Sequence, residues 1–489
     1  MERQQSLSYV IFDYMYPKWQ VFCEKQVIHL DFSRNFGYKR SMKSVAIILA
    51  AGKGTRMKSA LPKPLHMVGG RPMLAWAIDS ARACAADRII TVLPADSETT
   101  QTWLGDQEFV IQDPPQGTGH AVQMASNALA DFDGVALIMF ADTPLITAAT
   151  LGALSAQVTA GADVAVLGFE AADPTGYGRI IPGENDSVSA IIEHKDATED
   201  QRAITLCNGG IMAVRCPMLF SLLDAIDANN AQGEIYLTDI VGIAAARGAR
   251  TVCCVADEAE VIGVNDRADL AAAEAELQNR LRSAAMASGV TMVAPETTFL
   301  HAETLIEPDV IIEPHVVIGS ATHIGSGSII KSFSHIEGAT LGPCCVIGPY
   351  ARLRPGTVAE EGVKIGNFVE TKNTQLGAGA KANHLTYLGD SEIGATANIG
   401  AGTITCNYDG YNKYKTLIGD GAFIGSNTSL IAPVTVGAGA IIGAGSTISQ
   451  NVDGNDLAVA RAKAKVMPGA AETLRNRNAA RKAAAKAQK

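Results

Sequence analysis

The sequence has little charge and few aromatic residues: Asp, Glu, Lys and Arg make up 18%, Phe, Trp and Tyr 6%, and tryptophan occurs 3 times in 489 residues. No apolar run approaches the ~20 residues that a membrane helix needs, so no spanning helix and no membrane insertion are expected. The first residues lack a basic segment followed by an apolar core and a small-residue cleavage site, and a secretory leader is not expected either. The 9 cysteines are scattered as singles or adjacent pairs such as Cys253-Cys254 and Cys344-Cys345. Without CxxC or Cys/His spacing suited to zinc, they read as reduced thiols of a cytoplasmic protein. A formal net charge of -10 gives no general attraction to nucleic acid or anionic lipid. Small phosphate-bearing ligands held by a few placed cations stay compatible with it.

What is present is enough apolar residue, 47%, and enough length for two or more cores. Residues 1–41 form an aromatic-rich, unpatterned run that reads as an N-terminal extension without function. From Val45 to Leu49 an apolar segment stops at Ala50-Ala51-Gly52, the pattern of a buried parallel strand feeding a glycine-rich turn. Similar strands are expected at Arg88–Leu93, Val135–Phe140 and Val164–Phe169, with helices over Pro72–Ala86 and Gly119–Ala130. Alternation of this kind implies a parallel sheet covered by helices, with ligands at the carboxyl ends of the strands. Residues 42–265 are taken as this domain. A run of strong helix formers over 266–288 reads as a linker helix.

Residues 289–461 have a different grammar. Ile318, Ile324, Ile330 and Ile336 fall six apart, as do Ile418, Ile424, Leu430, Val436, Ile442 and Ile448, and glycine follows many of them. Neither a helix nor an ordinary strand has that period; a parallel β-helix with three short strands per coil and an inward aliphatic stack does. The beat breaks between Ile399 and Ile418, where GTITCNYDGYNKYKT is polar, aromatic and basic, as expected of a binding insertion. Residues 462–489 form a basic Ala/Lys-rich tail expected to be frayed or partly helical.

The loop Leu49-Ala50-Ala51-Gly52-Lys53-Gly54-Thr55-Arg56-Met57 can close backbone N–H groups around phosphate. Taken alone it matches neither GxGxxG nor the Walker pattern. Arg56 and Lys63 add two cations, placed where negative charge grows in phosphoryl chemistry. Asp142 lies past an apolar strand and Asn265 past a possible one at Ala259–Val264, so two oxygen ligands could converge on Mg2+ at one sheet edge.

LAAGKGTRM followed by LPKPL resembles the sugar-1-phosphate nucleotidyltransferases. QGTGHA, FADTPL, PTGYGRI, IIEHKDAT, NGGI, IYLTDI and GVND extend the match toward the bifunctional family of N-acetylglucosamine-1-phosphate uridylyltransferase and glucosamine-1-phosphate acetyltransferase. ARLRPG, GNFVETK, NHLTYLGD, NIGAGTITCNYDG and a later IGS resemble the acetyltransferase half of the same family. The resemblance runs from about Met42 to Arg461. It departs from the family pattern at ADTPL and NGGI, which spare Asp142 and Asn208.

The fold that the resemblance implies is an α/β Rossmann-like nucleotidyltransferase domain, a linker helix and a left-handed parallel β-helix of hexapeptide repeats. The substrates it implies are UTP, glucosamine-1-phosphate and acetyl-CoA, with Mg2+ as cofactor and a homotrimer formed through the β-helix. It assigns the uridine nucleotide and sugar to Leu49, Ala50, Ala51, Gly52, Lys63, Gln112, Gly117, Thr118, Gly178, Glu193, Asn208 and Asn265, with Arg56 and Lys63 catalytic and Asp142 and Asn265 on the metal. At the acetyl site His384 is the base, with Glu370 a possible orienting group. Arg354, Lys372, Tyr387, Asn398 and Lys413 meet the sugar phosphate, and Ala401, Asn407, Tyr408, Ser426, Ala444 and Arg461 meet acetyl-CoA. Two other readings stay open: a monofunctional nucleotidyltransferase with a structural repeat domain, and a regulatory scaffold that has lost its chemistry.

Overall fold

A computed structural model of the chain describes residues 42–227, 230 and 232–487. The expected extension over residues 1–41 lies outside the described residues. The chain divides into two compact units, the first ending at Ala284 and the second beginning at Ala285.

The first unit is built on strands β1 (Lys43–Leu49), β2 (Arg88–Pro94), β3 (Phe109–Gln112), β4 (Gly134–Phe140), β5 (Val164–Glu170), β6 (Arg179–Pro182), β7 (Val188–Ile192), β8 (Leu206–Arg215) and β9 (Thr251–Ala256). They form one sheet in the order β9-β5-β8-β4-β1-β2-β3, with β6 pairing β8 and β7. Helices α1 (Met73–Ala83), α2 (Thr118–Gln123), α3 (Ala148–Thr159) and α4 (Asp239–Ala246) cover its faces, and α5 (Arg267–Ala287) follows. Because both faces are covered, β1 is apolar at successive positions. Val45, Ile47 and Leu49 pack into one cluster with α2 and α4, while Ala46 and Ile48 pack into another with α1 and α3.

The structure corrects the expected pattern in three places. The sheet is mixed, not parallel, because β8 runs antiparallel to β4 and β5. Its Asn208-Gly209-Gly210 stretch looks like a turn, but a register shift between Asn208 and Met212 absorbs it within the strand. The helix expected over Gly119–Ala130 stops at Gln123 and resumes only as a single tight turn at Asn127–Leu129, where Ser126 and Asn127 are weak helix formers. Ala259–Val264 is not a strand. The Asp257 carboxylate accepts from Ala259 N at 2.9 Å and starts a tight turn over Glu258–Glu260.

The second unit is a parallel β-helix. Its strands stack coil on coil, as in Ile311–Ile312 on Ile329–Ile330 and Val346–Ile347 on Lys364–Ile365. The aliphatic beat is the inner stack, with Ile324, Ile330, Ile336, Ile424, Leu430, Val436 and Ile442 all fully buried. Through Thr371, Thr374, Ser391, Thr405 and Thr416 the interior turns polar while staying buried. Several of these hydroxyls bond across coils, Thr371 to Thr357 at 2.9 Å and Thr374 to Leu388 O at 2.8 Å, which satisfies those buried groups, whereas Thr416 Oγ1 has no hydrogen-bond partner among the described residues. The insertion projects as a small hairpin closed by a Tyr408–Lys413 bridge, and an exposed helix α6 (Ala470–Ala487) ends the described chain.

Candidate active sites

In the first unit, β1 hands the chain into the 50–54 loop. Ala50 N donates to Val92 O at 2.9 Å and Ala141 N to Leu49 O at 3.0 Å, so the loop sits between the ends of β2 and β4. Gly54 has φ of 58°, and a side chain there would come within 2.7 Å of Lys63 Cβ, so only glycine lets the loop close on that lysine. Closure gathers groups far apart in sequence. Lys63 Nζ donates to Asp142 Oδ2 at 2.5 Å and to Asn265 Oδ1 at 3.3 Å, and Arg56 donates to the same Asn265 oxygen at 3.0 Å. Asn265 reaches this point because Val264 N donates to Asp142 O at 2.8 Å and Asn265 N to Asp269 Oδ2 at 2.8 Å. The Lys63 side chain is only 12% exposed, so its charge is screened less than that of a surface pair.

Asp142 Oδ2 and Asn265 Oδ1 thus converge on one cation, the Lys63 ammonium, and the same two oxygens can face Mg2+ instead. A carboxylate and an amide oxygen are hard donors, and two of them suit an ion that keeps waters and shares phosphate oxygens. Among the described residues no group of three or more His, Cys, Asp or Glu could hold a metal. The donor set therefore fits an ion that arrives with a phosphate substrate.

A second cluster surrounds the QGTG segment. Buried Gln112 donates from Nε2 to Gly117 O at 2.9 Å and lies 3.2 Å from His120 Nδ1. A side chain on Gly117 would strike Ile235 O at 2.5 Å, and Thr118 Oγ1 accepts from Leu237 N at 3.0 Å, so the Ile235–Leu237 segment holds this turn in place. A third cluster joins Gly178, Glu193 and Asn208. Asn208 N donates to Gly178 O at 2.8 Å, and a Cβ on Gly178 would lie 3.5 Å from Glu193 Oε2 and 3.6 Å from Asn208 Cβ. Burial pushes the Glu193 carboxyl above the usual carboxylate range, while the hydrogen bond from Thr238 Oγ1 at 3.0 Å pulls the other way. Because β8 is antiparallel, Asn208 at its start falls at the same sheet edge as the ends of β1, β3 and β4, where ligands of α/β sheets bind.

In the second unit the candidate residues separate onto two corners of the coil. Arg354, Lys372 and Lys413 form a basic cluster at one corner. Lys413, carried by the hairpin, and then burial and Arg354 hold the Lys372 ammonium below its ordinary value, while Asp390 opposes them. A phosphate dianion would relieve that crowding of like charge. Arg354 also pairs with Glu370 at 2.8 Å, which places Glu370 at this basic corner. Asp390 ties the corner together: it accepts from Asn407 Nδ2 at 2.5 Å and from Asn373 Nδ2 at 2.7 Å. Tyr387 leans the same way, its hydroxyl 2.4 Å from where a Cβ on Gly389 would stand. Tyr408 OH donates to Gly410 O at 2.6 Å inside the hairpin. Asn398 is not brought to this cluster; it stands on another sheet, between Lys381 and Phe423.

His384 occupies the other corner, at the end of strand Lys381–His384. Its Nδ1 lies 2.8 Å from Asn367 Oδ1 of the preceding coil, where the strands pair Asn367 with His384. An amide oxygen can only accept, so with the side chain in this orientation Nδ1 is the donor, and in the neutral ring the lone pair falls to Nε2. Asn367 is a residue that motif reading missed, although it precedes His384 by one coil. Continuing the pairing of Ile399 with Ile424 and of Ile424 with Ile442 places Ala401, Ser426 and Ala444 in one column beyond His384. Arg461 closes that column by donating to Ala444 O.

The model of the MobA-like NTP transferase domain matches residues 46–206, and that of the bacterial transferase hexapeptide, six repeats, matches residues 415–450. Fold, sites and matches define a nucleotidyltransferase domain joined to a hexapeptide-repeat transferase domain. The chain is 49% identical over 445 residues to the bifunctional protein GlmU of Paramagnetospirillum magneticum, covering 91% of this chain and 99% of that one. It is 52% identical over 441 residues to the GlmU of Maricaulis maris, covering 90% and 97%. The chain belongs to the bifunctional GlmU family. It is an enzyme with a uridylyltransferase and an acetyltransferase activity.

Proposed function

We propose that the β-helix acetylates the amine of glucosamine-1-phosphate from acetyl-CoA, and that the first unit then transfers UMP from UTP to the N-acetylated product, releasing pyrophosphate. The observation that carries the reading is the convergence of Arg56, Lys63, Asp142 and Asn265, four groups from three chain segments, on one point at the sheet edge.

In uridylyl transfer the sugar-phosphate oxygen attacks the α-phosphorus in line and needs no protein nucleophile, because it is already an anion. The 49–52 backbone, Gln112, Gly117 and Thr118 hold the nucleotide, while Gly178, Glu193 and Asn208 hold the sugar. Arg56 and Lys63 stabilise the charge that accumulates at the transferring phosphorus. Mg2+ on Asp142 and Asn265 would add Lewis-acid charge at the phosphate oxygens.

In acetyl transfer Nε2 of His384 takes the amine proton as nitrogen attacks the thioester carbon, and Asn367 keeps Nδ1 protonated. Arg354, Lys372 and Lys413 receive the sugar phosphate. The placement of Asn398 on another sheet supports a homotrimer in which a neighbouring copy completes the sugar site. A cytoplasmic location fits the cysteine thiols, all free among the described residues. No helix among the described residues is long and apolar enough to cross a membrane.

The test is one assay with glucosamine-1-phosphate, acetyl-CoA, UTP and Mg2+, following thiol and pyrophosphate separately while each substrate is left out in turn. Thiol release should need the amino sugar, and pyrophosphate release should need its acetylated product. Pyrophosphate from N-acetylglucosamine-1-phosphate with no thiol release under any condition would show that the repeat domain is only structural.

A further inference from the structure

The column that carries His384 continues on its other side. Coenzyme A assigned to Ala401, Ser426, Ala444 and Arg461 runs from His384 toward the chain's C-terminal coils, four successive steps of about 4.8 Å each. The thioester carbon must lie at His384, where the amine is deprotonated. On that carbon the acyl substituent points roughly opposite to sulfur, and so toward the coils that precede His384.

Those coils carry an open groove of about 400 Å³ lined by His384 itself, Asn367, Pro349, Val346, Lys331 and Lys364. The groove extends past the reach of an acetyl methyl placed at His384. Its apolar side is Val346 and Pro349, both half-buried; Ile365 lies beneath them with its side chain in the inner stack, and Val346 has Lys364 as its neighbour on the outward face. Its polar wall is cationic, with two lysines and no carboxylate among the lining residues. Among the described residues neither Lys331 nor Lys364 has an ion-pair partner. Apolar Val346 and Pro349 beside two lysines without ion-pair partners match a short methylene chain that ends in a carboxylate.

We propose that this groove is an acyl subsite, and that the chain also transfers carboxylate-ended acyl groups, such as succinyl from succinyl-CoA, to the amine of glucosamine-1-phosphate. The reaction balances as acetyl transfer does. The amine nitrogen forms an amide bond to the acyl carbon, the carbon–sulfur bond breaks, and the amine proton taken by His384 leaves with the coenzyme A thiol. This inference rests on the proposed acetyl-CoA placement.

The experiment compares acetyl-, propionyl- and succinyl-CoA with glucosamine-1-phosphate on the full-length chain, with the N-acylated sugar phosphate read by mass so that thioester hydrolysis does not count. The expected result is amide product from all three. In the Lys331→Met/Lys364→Met double variant the ratio of kcat/KM for succinyl-CoA to that for acetyl-CoA should fall at least tenfold, with uridylyl transfer as the control for folding. Acetyl transfer without any succinyl product overturns the subsite, and so does an equal loss for both donors in the double variant. Absence of acetyl transfer as well would instead overturn the reading on which the inference rests.

Discussion

Replacing Lys63 by alanine isolates the first site. The ammonium sits 2.5 Å from Asp142 and 3.3 Å from Asn265 on a side chain that is 12% exposed, so it acts at close range in a partly desolvated place. Two unit charges about 4 Å apart at an effective dielectric near 20 interact by about 4 kcal/mol. Part of that interaction is already made with the bound triphosphate, and only the share that grows in the transition state affects rate. At 1.36 kcal/mol per decade, kcat/KM for uridylyl transfer should fall by about 10²–10³. Folding should weaken by about 1–3 kcal/mol, because Asp142 keeps its charge and loses its partner. Pyrophosphate release measures the first effect and urea unfolding the second, while thiol release from the β-helix stays within twofold. A loss of uridylyl transfer below tenfold would refute the assignment of transition-state charge to Lys63. Equal loss of both activities in a folded protein would refute the separation of the two sites.

Other outcomes follow from other parts of the chain. His384→Ala should lower acetyl transfer by about 10²–10⁴ and leave uridylyl transfer intact, as the two release assays would show. Asn367→Asp should move the acidic limb of the acetyl-transfer pH profile to higher pH, since a carboxylate beside Nδ1 favours the imidazolium; an unmoved limb would remove Asn367 from the mechanism. Asp239 is pushed up to about 6 by burial and then by Glu193, Asp227 and Asp196. An acid raised in the folded state binds more protons there than in the unfolded state, so its contribution falls as pH rises from about 4 to about 6. Relative to Asp239→Asn, the wild type should lose on the order of 2 kcal/mol across that window, after allowance for partial solvent screening. Ile442→Ala removes a fully buried member of the inner stack and should cost about 2–5 kcal/mol in chemical denaturation.

The motifs and the six-residue beat made the class of both units legible, because glycine, aliphatic and cationic positions there answer to local geometry. What escaped was set by distance. β8 was hidden because Asn208-Gly209-Gly210 has turn composition, and its place in the sheet depends on a shift in pairing that only β5 defines. Ala259–Val264 has the composition of a short strand, yet the Asp257 side chain bends it into a turn. The approach of Lys413 to Lys372 depends on how the hairpin folds back, which no spacing encodes. Asn367 was within reach: counting one coil back from His384 finds it, but a lone asparagine at a strand end carries no signal by itself.

The repeat makes length a discrete variable in the second unit. Deleting one whole coil moves every later residue by about 4.8 Å along the axis while each side chain keeps its direction. Deleting a single six-residue strand keeps the inward beat but turns every later residue onto the next face of the coil, and other lengths turn inward residues outward, as a slipped strand does. Evolution or engineering can therefore shorten the span from His384 to Arg461 only in whole coils, each bringing the far anchor of the column one fixed step nearer the reacting histidine. Intermediate distances are closed to this scaffold unless a loop, like the 407–415 hairpin, supplies them from outside the count.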